Sequence, residues 1–414
     1  MLTRKTSNFR YYSLDFWRGV ACLMVVVLHS SFYGLANPNG AAFGGLGKLI
    51  FRGLFHLQVG VSMFFVISGY CITAACDGLR NRPQPMKLYF FRRFRRIFPP
   101  FWAAVLLLLL CVSAATWLRV PQLYFDDIRP INRPSSFSVW QWLGNVSLTE
   151  EWRPHLIGDG TWYFLRPSWS LCYEEQFYAV CGLLLILSRR WFFRGVGVIT
   201  LLVGLMMLVK HFIRPMPVNG FFFDGRWLLF AAGILVYFLL HYSTPRFAKA
   251  GRLGLLAAGC LALAWRLHQK GYGMAEEYTA GFFFAFAISI LYRWDAVIAT
   301  SVLLRPITYC GIMCYSLYLI HWPVVKPITH LLYLSGVRGP WPTLAISIPL
   351  SLAVAIAVGW GFHLWIERRF LNTPPTLPWK IEIERTPFVP RTLECKETRG
   401  IGNNDGGLES QAGL

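Results

Sequence analysis

Apolar residues along the chain fall into ten runs, separated by short polar or basic connections. The runs cover about Leu14–Gly34, Leu49–Cys76, Ile97–Leu118, Trp169–Leu187, Gly195–Phe212, Phe221–His241, Leu253–Leu267, Ala280–Tyr292, Ile307–Val325 and Thr343–Ile366. None alternates with the period of two that a half-buried strand requires, and most approach the roughly 20 residues needed to cross a bilayer as a helix. The pattern predicts an all-α, polytopic membrane helix bundle of about ten transmembrane helices. Two stretches break it. Arg119–Ser168 is polar and rich in Trp, and is expected to form a long extracytoplasmic loop within a transmembrane domain of residues 1–370. From residue 371 to 414 the chain is rich in Pro, Gly and polar residues, which predicts a disordered cytoplasmic tail.

Composition agrees with this reading. Apolar residues make up 55% of the 414 residues and charged ones only 14%, against roughly 25% charged in a soluble domain. A soluble enzyme, a disordered scaffold and a disulfide-stapled secreted domain are excluded. The 17 Trp, 18 Tyr and 33 Phe suit a chain with many membrane interfaces. A formal net charge of +20 would also fit a nucleic-acid binder, but the Lys and Arg residues lie between apolar runs. With the N-terminus inside, Arg4, Lys5, Arg10, seven Lys or Arg between Arg80 and Arg96, Arg189, Arg190, Arg194, Arg246, Lys249, Arg252, Arg368 and Arg369 fall on one side. The positive-inside rule then places both termini in the cytoplasm of a multi-pass plasma-membrane protein, an inner-membrane one if bacterial, with no nucleic-acid partner. The ten Cys form no CxxC pair, so neither a metal site nor a disulfide framework follows. Asn145-Val-Ser147 is a glycosylation sequon, of consequence only in a cell that glycosylates proteins.

Ionisable groups inside a span are costly and mark candidate sites. Arg18 and His29 share the first run; at 100° and 1.5 Å per residue they lie about 20° off one face and about 16 Å apart. Asp15 stands one turn before Arg18, within reach of an ion pair. A deeply placed imidazole with no neighbouring carboxylate favours its neutral form, which a general base needs. A snorkelling Arg and a His bonded to a neighbouring helix account for these residues equally well. Arg92, Arg93, Arg95 and Arg96 could grip a polyphosphate through forked hydrogen bonds, or answer only to topology. Trp169-Ser170-Leu171-Cys172-Tyr173-Glu174-Glu175 opens the fourth run, and adjacent Glu residues cannot both face the bundle interior. Tyr318 and His321 share a face where the ninth run ends, a place where His is commonly structural. Phe64–Tyr70, with Ser68 and Gly69, reads as a close-packing segment.

Taken in order, these stretches resemble the acyltransferase 3 family of integral-membrane acyltransferases over about residues 12 to 370. The Arg-x10-His pattern matches Arg18 and His29, and Phe-Phe-Val-Ile-Ser-Gly-Tyr matches Phe64–Tyr70. Arg93, Arg96, Ile97 and Pro99 match the Arg-x-x-Arg-Ile-x-Pro pattern. Trp169–Tyr178 matches a Trp-Ser-Leu-x-x-Glu-x-x-Phe-Tyr pattern that selects Glu174 over Glu175, while Ser316, Tyr318, His321 and a closing Glu367 complete the set. The resemblance implies a ten-helix enzyme that passes an acyl group, often acetyl, from cytoplasmic acyl-CoA to a hydroxyl of a carbohydrate or glycolipid acceptor. Acyl-CoA would be a co-substrate, with no permanently bound cofactor, and membrane lipid the surrounding partner. On this reading His29 is the general base, supported by Arg18 and Asp15, with Glu174 beside them. Arg92, Arg93 and Arg96 hold the acyl-CoA, and Ser68, Tyr70, Trp169, Tyr318 and His321 position substrate. Some relatives carry a fused hydrolase-like domain of the SGNH type; the residues after Phe370 are too few for one, which counts against a relay to peptidoglycan-type acceptors. Two other readings are a transporter or flippase of a lipid-linked sugar, and a membrane-bound O-acyltransferase of another type relying on His321 or His330.

Overall fold

The computed structural model describes residues 11–36, 45–80, 82–126, 128, 130–187, 189–212, 220, 225–269 and 273–372. Within them lie thirteen helices of eight or more residues. They are α1 Leu14–Ser31, α2 Gly45–Phe55, α3 Gly60–Leu79, α4 Pro85–Trp117, α5 Val139–Ser147, α6 Trp169–Leu184 and α7 Arg189–Phe212, then α8 Trp227–His241, α9 Pro245–His268, α10 Met274–Leu291, α11 Arg305–Ile312, α12 Cys314–Leu334 and α13 Ile348–Trp365. Each of the ten apolar runs coincides with one or two of these helices. Among the described residues, seven helical stretches are long and apolar enough to cross a membrane by length and composition alone. The proposed tail lies outside the described residues, apart from Leu371 and Asn372, as do Arg4, Lys5 and Arg10.

Small residues set the helix crossings. A Cβ on Gly19 of α1 would overlap the carbonyl oxygen of Ile307, and one on Gly311 of α11 would overlap that of Asp15. These two helices therefore meet backbone to backbone, which holds Asp15 and Arg18 in place. In the same way Gly69 of α3 abuts the Phe230 carbonyl and Gly233 of α8 the Val66 carbonyl. The close packing expected of Phe64–Tyr70 thus falls on Gly69. Gly233→Ala is expected to lower the thermal midpoint in detergent, since overpacking costs about 1–3 kcal/mol. Gly254→Ala, in open space on α9, should leave it unchanged or raise it; equal midpoints for the two variants would refute the crossing.

The ninth run departs from expectation. Its helix does not end near His321: it is broken at Met313 into α11 and α12, and α12 continues to Leu334 through Pro323 and Pro327. Pro327 has no amide hydrogen to give the Pro323 carbonyl, and Tyr124 from the 119–168 segment donates its hydroxyl there at 3.1 Å. The helix thus survives a proline that would otherwise leave a buried acceptor unpaired.

The described residues of the 119–168 segment fold against the bundle. Ser138 and Gln141 form a capping box at the start of α5. The guanidinium of Arg153 donates to both carboxylate oxygens of the fully buried Glu150 (2.8 and 2.9 Å) and to Asp159 (2.5 Å). Glu150's hydrogen bonds, ahead of those from Asp159, hold the Arg153 pKa above its usual value. Asn145 is buried; its amide donates to the carbonyls of Gln141 and Trp162 and accepts from the Phe164 amide. In the folded chain the sequon is therefore closed to modification.

Candidate functional site

Two confluent cavities enter the bundle from the end that carries the α4 arginines. The outer one, about 440 Å³, is lined by Arg92, Arg93 and Arg96 of α4, Asp15 and Arg18 of α1, and Cys71 of α3, among others. The inner one, about 120 Å³, shares Arg18, Cys71, Arg93, Arg96 and Cys314 with it and continues to Ser68, Ser170, Glu174, Tyr178 and Tyr318. Arg18 stands at the junction. Its guanidinium donates to Asp15 (2.5 Å) and points its other amino group at the Cys71 sulfur (2.9 Å), so it turns into the protein rather than snorkelling out.

Deeper in, both oxygens of Glu174 are held: Ser68 donates to one (2.9 Å) and Tyr178 to the other (2.7 Å). Arg93 lies over the Tyr178 ring, 5.6 Å from its centroid. Tyr318 donates to the Pro167 carbonyl (2.8 Å), which leaves Ser170 to donate to the Tyr318 hydroxyl (2.7 Å). The Tyr318 ring is 5.7 Å from that of His321, and His321 Nε2 meets Nδ1 of His29 at 2.8 Å. The two imidazoles are nearly parallel, 13° apart, with Trp322 and Phe32 edge-on to His29. One to two turns further along α12, the ammonium of Lys326 pairs with Asp126 and donates to Tyr33 (2.5 Å), while His330 stacks on the Tyr33 ring. A chain of polar side chains thus runs from the arginine end, through Arg18, Glu174 and the histidine pair, to the face covered by the 119–168 segment.

The family model described as an acyltransferase domain matches residues 11–360 of this arrangement. The chain belongs to the acyltransferase 3 family. This acyltransferase-family chain is similar to an O-acetyltransferase, OatA, of Staphylococcus aureus (strain NCTC 8325), with 28% identity over 80% of this chain and 55% of the relative. It is likewise similar to a peptidoglycan O-acetyltransferase, OatA, of Listeria monocytogenes serovar 1/2a, with 23% identity over 90% of this chain and 57% of that one. The chain therefore spans little more than half the length of these relatives. No solved structure matches it.

The acyltransferase-family fold brings most of the residues singled out in the sequence to one path. Arg18, Asp15, Arg92, Arg93, Arg96, Ser68, Glu174 and Tyr318 line the two cavities, and His29 with His321 lies beyond Tyr318. Glu175 does not line either cavity, as helical spacing requires once Glu174 does. Two residues stand elsewhere. Tyr70 sits about 200° round α3 from Ser68 and bonds His241 (3.0 Å) in a separate aromatic cluster. Trp169 is half-buried, with the Arg226 guanidinium 5.0 Å from its ring.

Other participants have no role legible in the sequence. Ser170 and Tyr178 are fixed positions of the matched Trp169–Tyr178 pattern, but uncharged groups inside an aromatic run do not announce what they bind. Cys71 and Cys314 read as small hydrophobes. Lys326 falls just beyond the predicted end of the ninth run, though a lysine between two histidines of an apolar helix is a signal of its own. Glu367 bonds Ser316 (2.6 Å) and His363 (2.8 Å) in a fully buried knot near Arg96. It buttresses the arginine helix rather than lining the cavities.

Proposed function

We propose that this chain is a membrane O-acetyltransferase that moves a small acyl group from acyl-CoA to a hydroxyl of a carbohydrate or glycolipid. The observation that carries the reading is the position of Arg18, shared by an arginine-lined entrance and a narrow inner chamber that reaches Tyr318, whose ring lies 5.7 Å from that of His321, the partner of His29. Arg92, Arg93 and Arg96 bind the CoA phosphates at the entrance, on the cytoplasmic side of the plasma membrane. The inner chamber, about 120 Å³ against about 440 Å³ for the entrance, suits a two-carbon acyl better than a fatty chain. Ser68 and Tyr178 fix the carboxylate of Glu174, which leaves it a rigid wall group able to orient substrate. His29 takes the proton of the acceptor hydroxyl as its oxygen bonds the thioester carbonyl carbon. The carbon–sulfur bond then breaks, and the proton passes to the departing CoA thiolate. The names of the relatives support an O-acetyl product.

Proteoliposomes holding the purified chain are expected to consume labelled acetyl-CoA and label a glycan acceptor. Uptake of a lipid-linked sugar without acetyl-CoA consumption would instead make the chain a transporter. Arg93→Ala with Arg96→Ala should raise the KM for acetyl-CoA at least tenfold, because each charge-assisted hydrogen bond is worth about 1.5–3 kcal/mol. Initial rates at saturating acceptor check this, and a change confined to the acceptor KM would contradict the phosphate grip.

A further inference from the structure

His321 has a second set of contacts that decides which nitrogen of His29 can act. Its Nδ1 lies 2.6 Å from the Tyr318 carbonyl oxygen and 3.2 Å from that of Leu317. Both partners are acceptors with no proton to give, so Nδ1 of His321 must carry the hydrogen. In the neutral ring Nε2 then carries the lone pair. That lone pair faces Nδ1 of His29 at 2.8 Å. Two lone pairs cannot share that distance, so the hydrogen between the rings belongs to His29 Nδ1.

From this we infer that His321 is a positioning residue: the relay from the Tyr318 carbonyl through His321 locks His29 in the tautomer whose Nε2 is the basic nitrogen. The 13° angle between the rings and the complete burial of His321 leave the relay little freedom to rotate. When His29 Nε2 accepts the proton of the attacking hydroxyl, the ring becomes an imidazolium. Its Nδ1–H still donates to His321 Nε2, now as a charge-assisted bond, so the charge is stabilised without any proton moving between the rings. His321 itself touches no reacting atom.

The inference rests on the reading of His29 as the base, and two measurements separate the two claims. Long-range ¹H–¹⁵N correlation of ¹⁵N-histidine-labelled protein in lipid nanodiscs is read at neutral pH, with His29 assigned by its loss in His29→Gln. It should show His29 protonated at Nδ1 and bare at Nε2. The opposite tautomer would overturn the relay whatever the enzyme does. In acetyl transfer, His321→Leu removes the acceptor and should lower kcat about 10- to 100-fold, the scale on which losing the hydrogen-bond partner that orients a metal-bound histidine acts, with the KM for acetyl-CoA unchanged. His321→Gln retains a carbonyl able to accept from His29 Nδ1 and should recover part of that loss. Equal kcat for the Leu and Gln variants, both folded by thermal midpoint, would reject the positioning role. A correct tautomer in a protein whose His29→Ala variant is fully active would sink the base assignment alone.

Discussion

Replacing His29 with alanine is expected to lower acetyl transfer by about 10²- to 10⁴-fold, the range general-base catalysis contributes, with the protein still folded and inserted. The ring is only half-buried and lies away from the helix crossings at Gly19 and Gly311, so its removal leaves them untouched. The loss should appear in kcat and kcat/KM together, since the proton transfer belongs to the transition state and not to acyl-CoA binding. Single-turnover mixing of protein, acetyl-CoA and acceptor measures it directly. Activity within a few-fold of the parent would end the base assignment and shift attention to His330, which stacks on Tyr33 nearer the opposite face.

The largest stability effect is expected from Asp126→Ala. Lys326 is completely buried and its ammonium faces Asp126, with Tyr33 as the second partner. Removing the carboxylate leaves a buried cation with one hydroxyl, which costs about 3–5 kcal/mol. Joint replacement, Asp126→Leu with Lys326→Met, removes the charge altogether and should recover most of the loss, as buried pairs exchanged for apolar side chains often do. Thermal midpoints of Asp126→Leu, Lys326→Met and the double variant in one detergent provide the cycle. A single variant as stable as the parent would show that the pair contributes no net stability. The pair also ties the 119–168 segment to α12, five residues beyond His321, so the double variant tests whether that tie matters for transfer once stability is restored.

Much of the architecture was legible because the bilayer imposes it. A spanning helix must satisfy its own backbone and present apolar side chains over a set length, so each run of such residues became a helix. The charge asymmetry and the cost of a buried ion marked Arg18, His29 and the α4 arginines for the same reason. Local spacing was less informative where two residues of one motif diverge. Ser68 and Tyr70 are neighbours in a run that is apolar on every side, and apolarity all round cannot say which face meets a cavity. The result was Ser68 in the chamber and Tyr70 against His241. The end of the ninth run was placed too early because Lys326, His330 and two prolines look like a boundary, while Tyr124 and Asp126 supply from elsewhere the partners that let the helix continue.

From the order of its residues alone, this protein is a helical membrane bundle with an arginine-rich end and an imidazole in its first span, since bilayer thickness and the cost of burying charge act on each segment separately. Only the tertiary structure decided that His29 meets His321, that Lys326 meets Asp126, and that Arg18 links two cavities. Those pairings join residues 292 and 200 positions apart, and they depend on where glycines let helices touch, which no single segment encodes.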